Sequence, residues 1–189
     1  MKVASTILAA VAALGLAGVA TAVDGTVILV DLDNDSWDGE GSANNDIVSV
    51  VLADYGLLGD QWELTGVGWD VDITPVGASW YSEVTLGFRD SASAASDVFL
   101  NVSSDNFAGD GVPINYVGDI LKFGDFAIPN IAITSGTLDI EIFEGFDDVV
   151  DAIDASIAGT LMLQFVEVPA PGALALIGVA GLVARRRRR

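Results

Sequence analysis

The 189 residues include no cysteine and no histidine. Without cysteine there can be no disulfide and no thiolate nucleophile. Without histidine neither a Ser-His-Asp nor a Cys-His relay can be assembled, and the usual zinc sites lose their ligands. Basic residues are nearly as scarce, eight against 27 acids for a formal net charge of −19. Lys2 and the arginines at 185–189 account for six of them, so residues 23–167 hold only Arg89 and Lys122 together with all 27 acids, a formal charge of −25. A field of that sign repels phosphates, and nucleic acid is excluded as a partner.

The acids are interleaved with apolar residues instead of being blocked, which argues for a folded chain over a disordered one. About 145 residues make one domain with enough core to stand without staples. The interleaving has a period of two. In the segment 80–88, Trp80, Val84, Leu86 and Phe88 share one parity with polar residues between them, and Leu138, Ile140 and Ile142 repeat the pattern against Asp139 and Glu141. Both read as half-buried strands. The segment 62–73 changes phase at Thr65-Gly66, from Trp62 and Leu64 to Val67, Trp69, Val71 and Ile73; a bulge at Gly66 restores both sets to one face. Further strands are expected at 26–31, 46–53, 98–102 and 157–166, punctuated by Gly, Asp, Asn and Pro. Residues 147–156 suit one helical turn or a loop. No amphipathic helix and no 20–50-residue repeat is apparent, so the expected fold is all-β: an antiparallel β-sandwich, jelly-roll-like, flanked by an N-terminal signal helix and a short C-terminal apolar helix.

The flanks carry addresses. After Lys2 comes an apolar run from Ile7 to Ala20, and Ala20-Thr21-Ala22 is an A-x-A cleavage site for signal peptidase, so residues 1–22 read as a signal peptide and the acidic domain as 23–167. Residues 168–189 combine Val168-Pro169-Ala170-Pro171, an apolar run from Gly172 to Ala184, and Arg185, Arg186, Arg187, Arg188 and Arg189. Thirteen helical residues span roughly 20 Å, short of a hydrocarbon core of about 30 Å. Such a helix is a marginal anchor, and the arginines stay on the cytoplasmic side. This tail resembles the PEP-CTERM sorting signal, in which Pro-Glu-Pro, an apolar helix and an arginine-rich end occur in this order; here Ala170 replaces the glutamate. The segments TGVGWDV, GASWYSE and EIFEGFDD are similar to those of small PEP-CTERM proteins with an uncharacterised sandwich domain. The resemblance implies processing by an exosortase-like enzyme, membrane anchoring before processing, residence at the cell surface or in the extracellular matrix, and extracellular polysaccharide as a partner class.

Within the domain the available chemistry is that of carboxylates. A glycosidase needs two acids about 5–9 Å apart. Glu141 and Glu144, with Asp147 and Asp148, are the candidate pair set, against a solvated acidic rim. The run from Asp31 to Glu40 reads as a loop in which Asp31, Asp33, Asp35 and Asp38 offer oxygens to Ca²⁺. Ser36 and Ser42 stand where an EF-hand requires glycine and glutamate, so that motif is excluded, and a hydrophilic turn is the alternative. Trp62, Trp69 and Trp80 fall in strand patterns and are expected in the core, while Trp37, in the acidic loop, is free to stack on a sugar. Asn101-Val102-Ser103 matches a glycosylation sequon. Two readings emerge: a noncatalytic surface or matrix protein that binds Ca²⁺ or glycan, and a carboxylate-based carbohydrate-active enzyme.

Overall fold

In the computed structural model, residues 25–59, 61–109, 111–146 and 151–168 are described. Nine strands follow in order: β1 Thr26–Ser36, β2 Asp46–Val51, β3 Trp62–Pro75, β4 Val84–Asp90, β5 Val98–Asn101, β6 Ile114–Lys122, β7 Ile131–Ile133, β8 Thr137–Glu144 and β9 Ala155–Glu167. Two 3-10 turns, Leu52–Tyr55 and Phe123–Phe126, are the helical elements among the described residues. One sheet runs β1-β9-β3-β6 with β7 also beside β3, and the other runs β2-β8-β4-β5. Every pairing is antiparallel. The first half of the chain pairs with the second in nested order, β1 with β9, β2 with β8, β3 with β6 and β4 with β5, as when one long hairpin is rolled up. That is a jelly-roll sandwich.

Alternation sets the core. Ile28, Val30 and Leu32 of β1 face Leu138, Ile140 and Ile142 of β8 and their neighbours across the sandwich, all nearly or fully buried. The phase change in β3 is resolved as the sequence requires. Leu64 pairs with Phe165 and Gly66 with Gln164, so Thr65 is the extra residue of a bulge, and its hydroxyl donates to the Gln164 carbonyl. Gly159 of β9 lies between the two neighbouring strands with φ +140°, and a Cβ there would sit 2.3 Å from the Asp70 carbonyl oxygen.

Several elements differ from expectation. β1 continues to Ser36 because its register with β9 runs on to Ser36↔Ala155. The strand expected from Trp80 begins only at Val84, since residues 81–83 form a turn. β6 and β7 carry no clear sequence signal: β6 contains Gly118 and a register slip that scrambles its period, and β7 is three residues long. Asp151 to Asp154 are turn and coil, and β9 begins at Ala155, so the described part of 147–156 holds no helix. The signal segment with Ala20 and Ala22, and the tail from Pro169 through Ala170, Pro171 and Arg185 to Arg189, lie outside the described residues. Among the described residues no helix is long and apolar enough to cross a membrane.

Candidate functional site

Extension of β1 dismantles the expected Ca²⁺ loop. Asp31 and Asp33 stand on its exposed face, Asp35 shares their parity, and Leu32 and Ser36 point into the sandwich. Alternate residues of a strand repeat at about 6.8 Å, whereas oxygens sharing one Ca²⁺ lie within about 5 Å of each other. Asp38 lies beyond the strand end and is buried at 8% exposure. The four aspartates are therefore not brought together, and among the described residues no three such side chains gather as a metal site. What adjoins Asp35 is like charge. Burial, then Asp46, then Asp33 raise its carboxyl above the ordinary 3.8. Asp46 accepts from the Asp35 backbone N–H at 2.9 Å, which ties β2 to the end of β1.

The connection from β1 to β2 is stitched down by its own polar groups. Asp38 accepts from the Ser42 hydroxyl at 2.6 Å, from the Asp151 N–H at 2.9 Å and from Asn44 at 3.0 Å. Those bonds, led by Ser42, hold its carboxyl below the usual range. Asn45 accepts from the Asp38 N–H and donates to Glu141 at 2.9 Å, and Glu141 also takes the Gly41 N–H at 2.6 Å. Arg89 completes the chain, donating to the other oxygen of Glu141 at 2.6 Å. Burial alone raises the Glu141 carboxyl; the hydrogen bonds of Asn45, Arg89 and Gly41 outweigh it and leave the group lowered. Sequence reasoning missed this network, although Arg89, one of two cations in the domain, was its one visible cue.

Glu141 and Glu144 do not form the acid pair considered above. Three residues apart on a strand, they fall on opposite faces. Glu141 shares its face with Arg89, while Glu144, in register with core residue Val84, turns inward and accepts the Ser36 hydroxyl. Asp147 and Asp148 lie outside the described residues. Another buried carboxylate was not anticipated: Asp90 accepts from the Thr134 hydroxyl and N–H and from the Ser135 N–H, closing the β7–β8 turn onto β4. Burial opposes ionisation there, and the hydrogen bonds from Ser135, Thr134 and Ala92 overcome it, driving the carboxyl far below the usual range.

The tryptophans divide differently from expectation. Trp62 and Trp69 pack against the core in part, but Trp80 is 41% exposed and Tyr81 takes the buried place. The turn over 81–83 shifts the parity by one. Trp37 is half-buried. Asn101 spends its amide on Ser82 and Thr85.

No family model matches the sequence, and no curated protein matches it. Among solved structures, the fold is similar to a chain of infectious bursal disease virus, Gx strain, with 14% identity and TM-score 0.38 over 78% of this chain and 34% of that one. It is similar also to desmodium yellow mottle tymovirus, with 16% identity and TM-score 0.27 over 78% of this chain and 91% of that one. The chain thus spans about a third of the length of the bursal disease virus chain. The fold assignment rests on the strand order itself.

One hollow remains. Between the sheet edges formed by β5 and β6, a cleft of about 140 Å³ opens over Val67 and Phe88, walled by Val98 and Phe123.

Proposed function

We propose that this is an exported, noncatalytic protein of the cell surface or extracellular matrix, sorted by a PEP-CTERM-like tail. The observation that carries the reading is the tail itself: Val168-Pro169-Ala170-Pro171, an apolar run too short for a comfortable span, then five arginines. The domain supports it. Its most buried ion pair, Arg89 with Glu141, and the hydrogen-bonded carboxylates of Asp38 and Asp90 are engaged in holding loops to strands. A general acid requires a carboxyl whose proton is held near neutral pH; Asp38, Asp90 and Glu141 are shifted the other way, and Asp35, which is shifted upward, stands at the end of β1 beside Asp33 and Asp46. Anchoring precedes processing by an exosortase-like enzyme, and extracellular polysaccharide is the partner class. Deleting Arg185 to Arg189 tests the sorting role by fractionation. The truncated chain is expected in the medium or misrouted, and unchanged membrane fractionation overturns the reading. A glycan array with and without Ca²⁺, beside a reducing-sugar assay, tests the rest: glycan capture without sugar release is expected.

A further inference from the structure

The cleft between β5 and β6 is lined by nine residues, none with a polar side chain. Val67 and Phe88 come from opposite sheets and form its floor, so the hollow is a gap in the core itself where the edge strands stop covering it. Its rim is unusual. Phe126 is 60% exposed, with Leu121 and Ile128 beside it at 39% and 38%, while Phe99 adjoins from the outer face of β5, where its ring meets Phe143 edge-on. Scattered exposed apolar residues are ordinary, but large ones grouped around an open apolar hollow are the usual mark of a ligand site. An apolar cavity of about 150 Å³ accepts a guest of benzene size, which is six carbons. The 140 Å³ here is closely comparable.

Charge narrows the guest further. Asp97 directly precedes Val98, Asp119 lies two residues before Leu121, and Asp125 lies between Phe123 and Phe126; all three are exposed. Lys122 sits opposite Gly66, one residue out of phase with Leu121, and Asp97 is likewise one residue out of phase with Val98; the two fall on outer faces and offset each other, so Asp119, Asp125 and the −25 of the domain set the sign of the field. A carboxylate or phosphate head group at the mouth meets like charge within a Debye length, and a second copy of the chain brings the same acids and another −25. The geometry points to a binding site for the end of an uncharged alkyl chain, about six carbons deep, belonging to a neutral amphiphile. The site is independent of the sorting role proposed above.

The test uses the full chain without added lipid, with fluorinated phenylalanine read by ¹⁹F NMR at low salt. The probes are hexyl glucoside, hexanoate and glucose. Hexyl glucoside is expected to shift the Phe123 and Phe126 signals saturably, hexanoate to bind at least about 10-fold more weakly through like-charge repulsion, and glucose to do nothing. Leu121→Trp, which fills the cleft from a partly exposed position, is expected to weaken hexyl glucoside by at least about 10-fold, and Phe126→Ala by about 3-fold. Should the tryptophan variant misfold, the rim variant alone decides, because Phe126 is mostly exposed. Equal binding of hexanoate, unaltered binding in Phe126→Ala, or shifts that follow protein concentration with dimerisation in ultracentrifugation would each overturn the proposal, the last by making a second copy the occupant.

Discussion

At Asp35 and Asp90, one residue type meets opposite environments, and the pH dependence of stability follows. Asp35 has its pKa raised by burial, Asp46 and Asp33, so its ionisation opposes folding: the penalty is absent at pH below the unfolded value and grows as pH rises through the folded one. Asp35→Asn is therefore expected to raise the melting temperature by about 1–2 °C at pH 7, and calorimetry checks this. Asp90, Asp38 and Glu141 run the other way. Their folded pKa values are depressed, so their contribution is present above the ordinary carboxylate range and lost as pH falls below it. Asp90→Asn leaves the Thr134 and Ser135 donors worse paired and is expected to cost about 2 kcal/mol at pH 7 while flattening the acid limb of the stability curve. None of this was legible in the sequence. Asp90 looks like any strand-end acid until the β7–β8 turn is folded over it, and Asp31, Asp33 and Asp35 suggested a ligand loop because acids and alternation occur together both in loops and on the wet face of a strand.

For the elements, period and phase carried the information. The bulge in β3 could be read from Leu64 and Val67 alone, since two apolar sets of opposite parity fit one face only with an extra residue between them. β8 was equally clear from Leu138, Ile140 and Ile142. Where the chain turns without regular signals, reading failed: the 81–83 turn reversed the places of Trp80 and Tyr81, and Gly118 hid β6. Gly118 is itself explained by packing, because a Cβ there would lie 2.4 Å from the Trp69 ring. Gly159 is held more tightly still, by its positive φ and by the Asp70 carbonyl. Gly159→Ala is expected to cost roughly 2–5 kcal/mol, measurable by denaturant unfolding, with the β1 and β3 ladders on either side of β9 losing register around Leu32 and Val71.

Over the whole molecule, the same acids that bar nucleic acid also strain the fold. With −25 on the domain, monovalent salt is expected to stabilise it by screening, and Na⁺ and Ca²⁺ at matched ionic strength are expected to act alike on the β1 aspartates, because among the described residues no three carboxylates converge there. A Ca²⁺-specific rise in melting temperature that is lost on Asp33→Asn with Asp35→Asn would contradict this. The jelly-roll class was legible because alternating strands without helices leave few architectures. The strand order was not, since nested pairing is decided by contacts up to a whole chain length apart.

The pairing of β1 with β9 makes the domain mechanically directional. Thr26 is in register with Phe165, so the first and last strands present their outer ends at the same edge of the sandwich. Tension between residues 26 and 168 opens the β1–β9 ladder like a zipper, one hydrogen-bond pair at a time and at low force. Tension between residue 168 and the turn at Gly77 runs along β9 and β3, whose ladder extends from Trp62↔Glu167 to Pro75↔Ala155, and loads all of it in shear. A domain held at residue 168 and pulled at Gly77 is thus gripped at its strongest, and optical-trap pulling along the two axes is expected to give clearly different rupture forces.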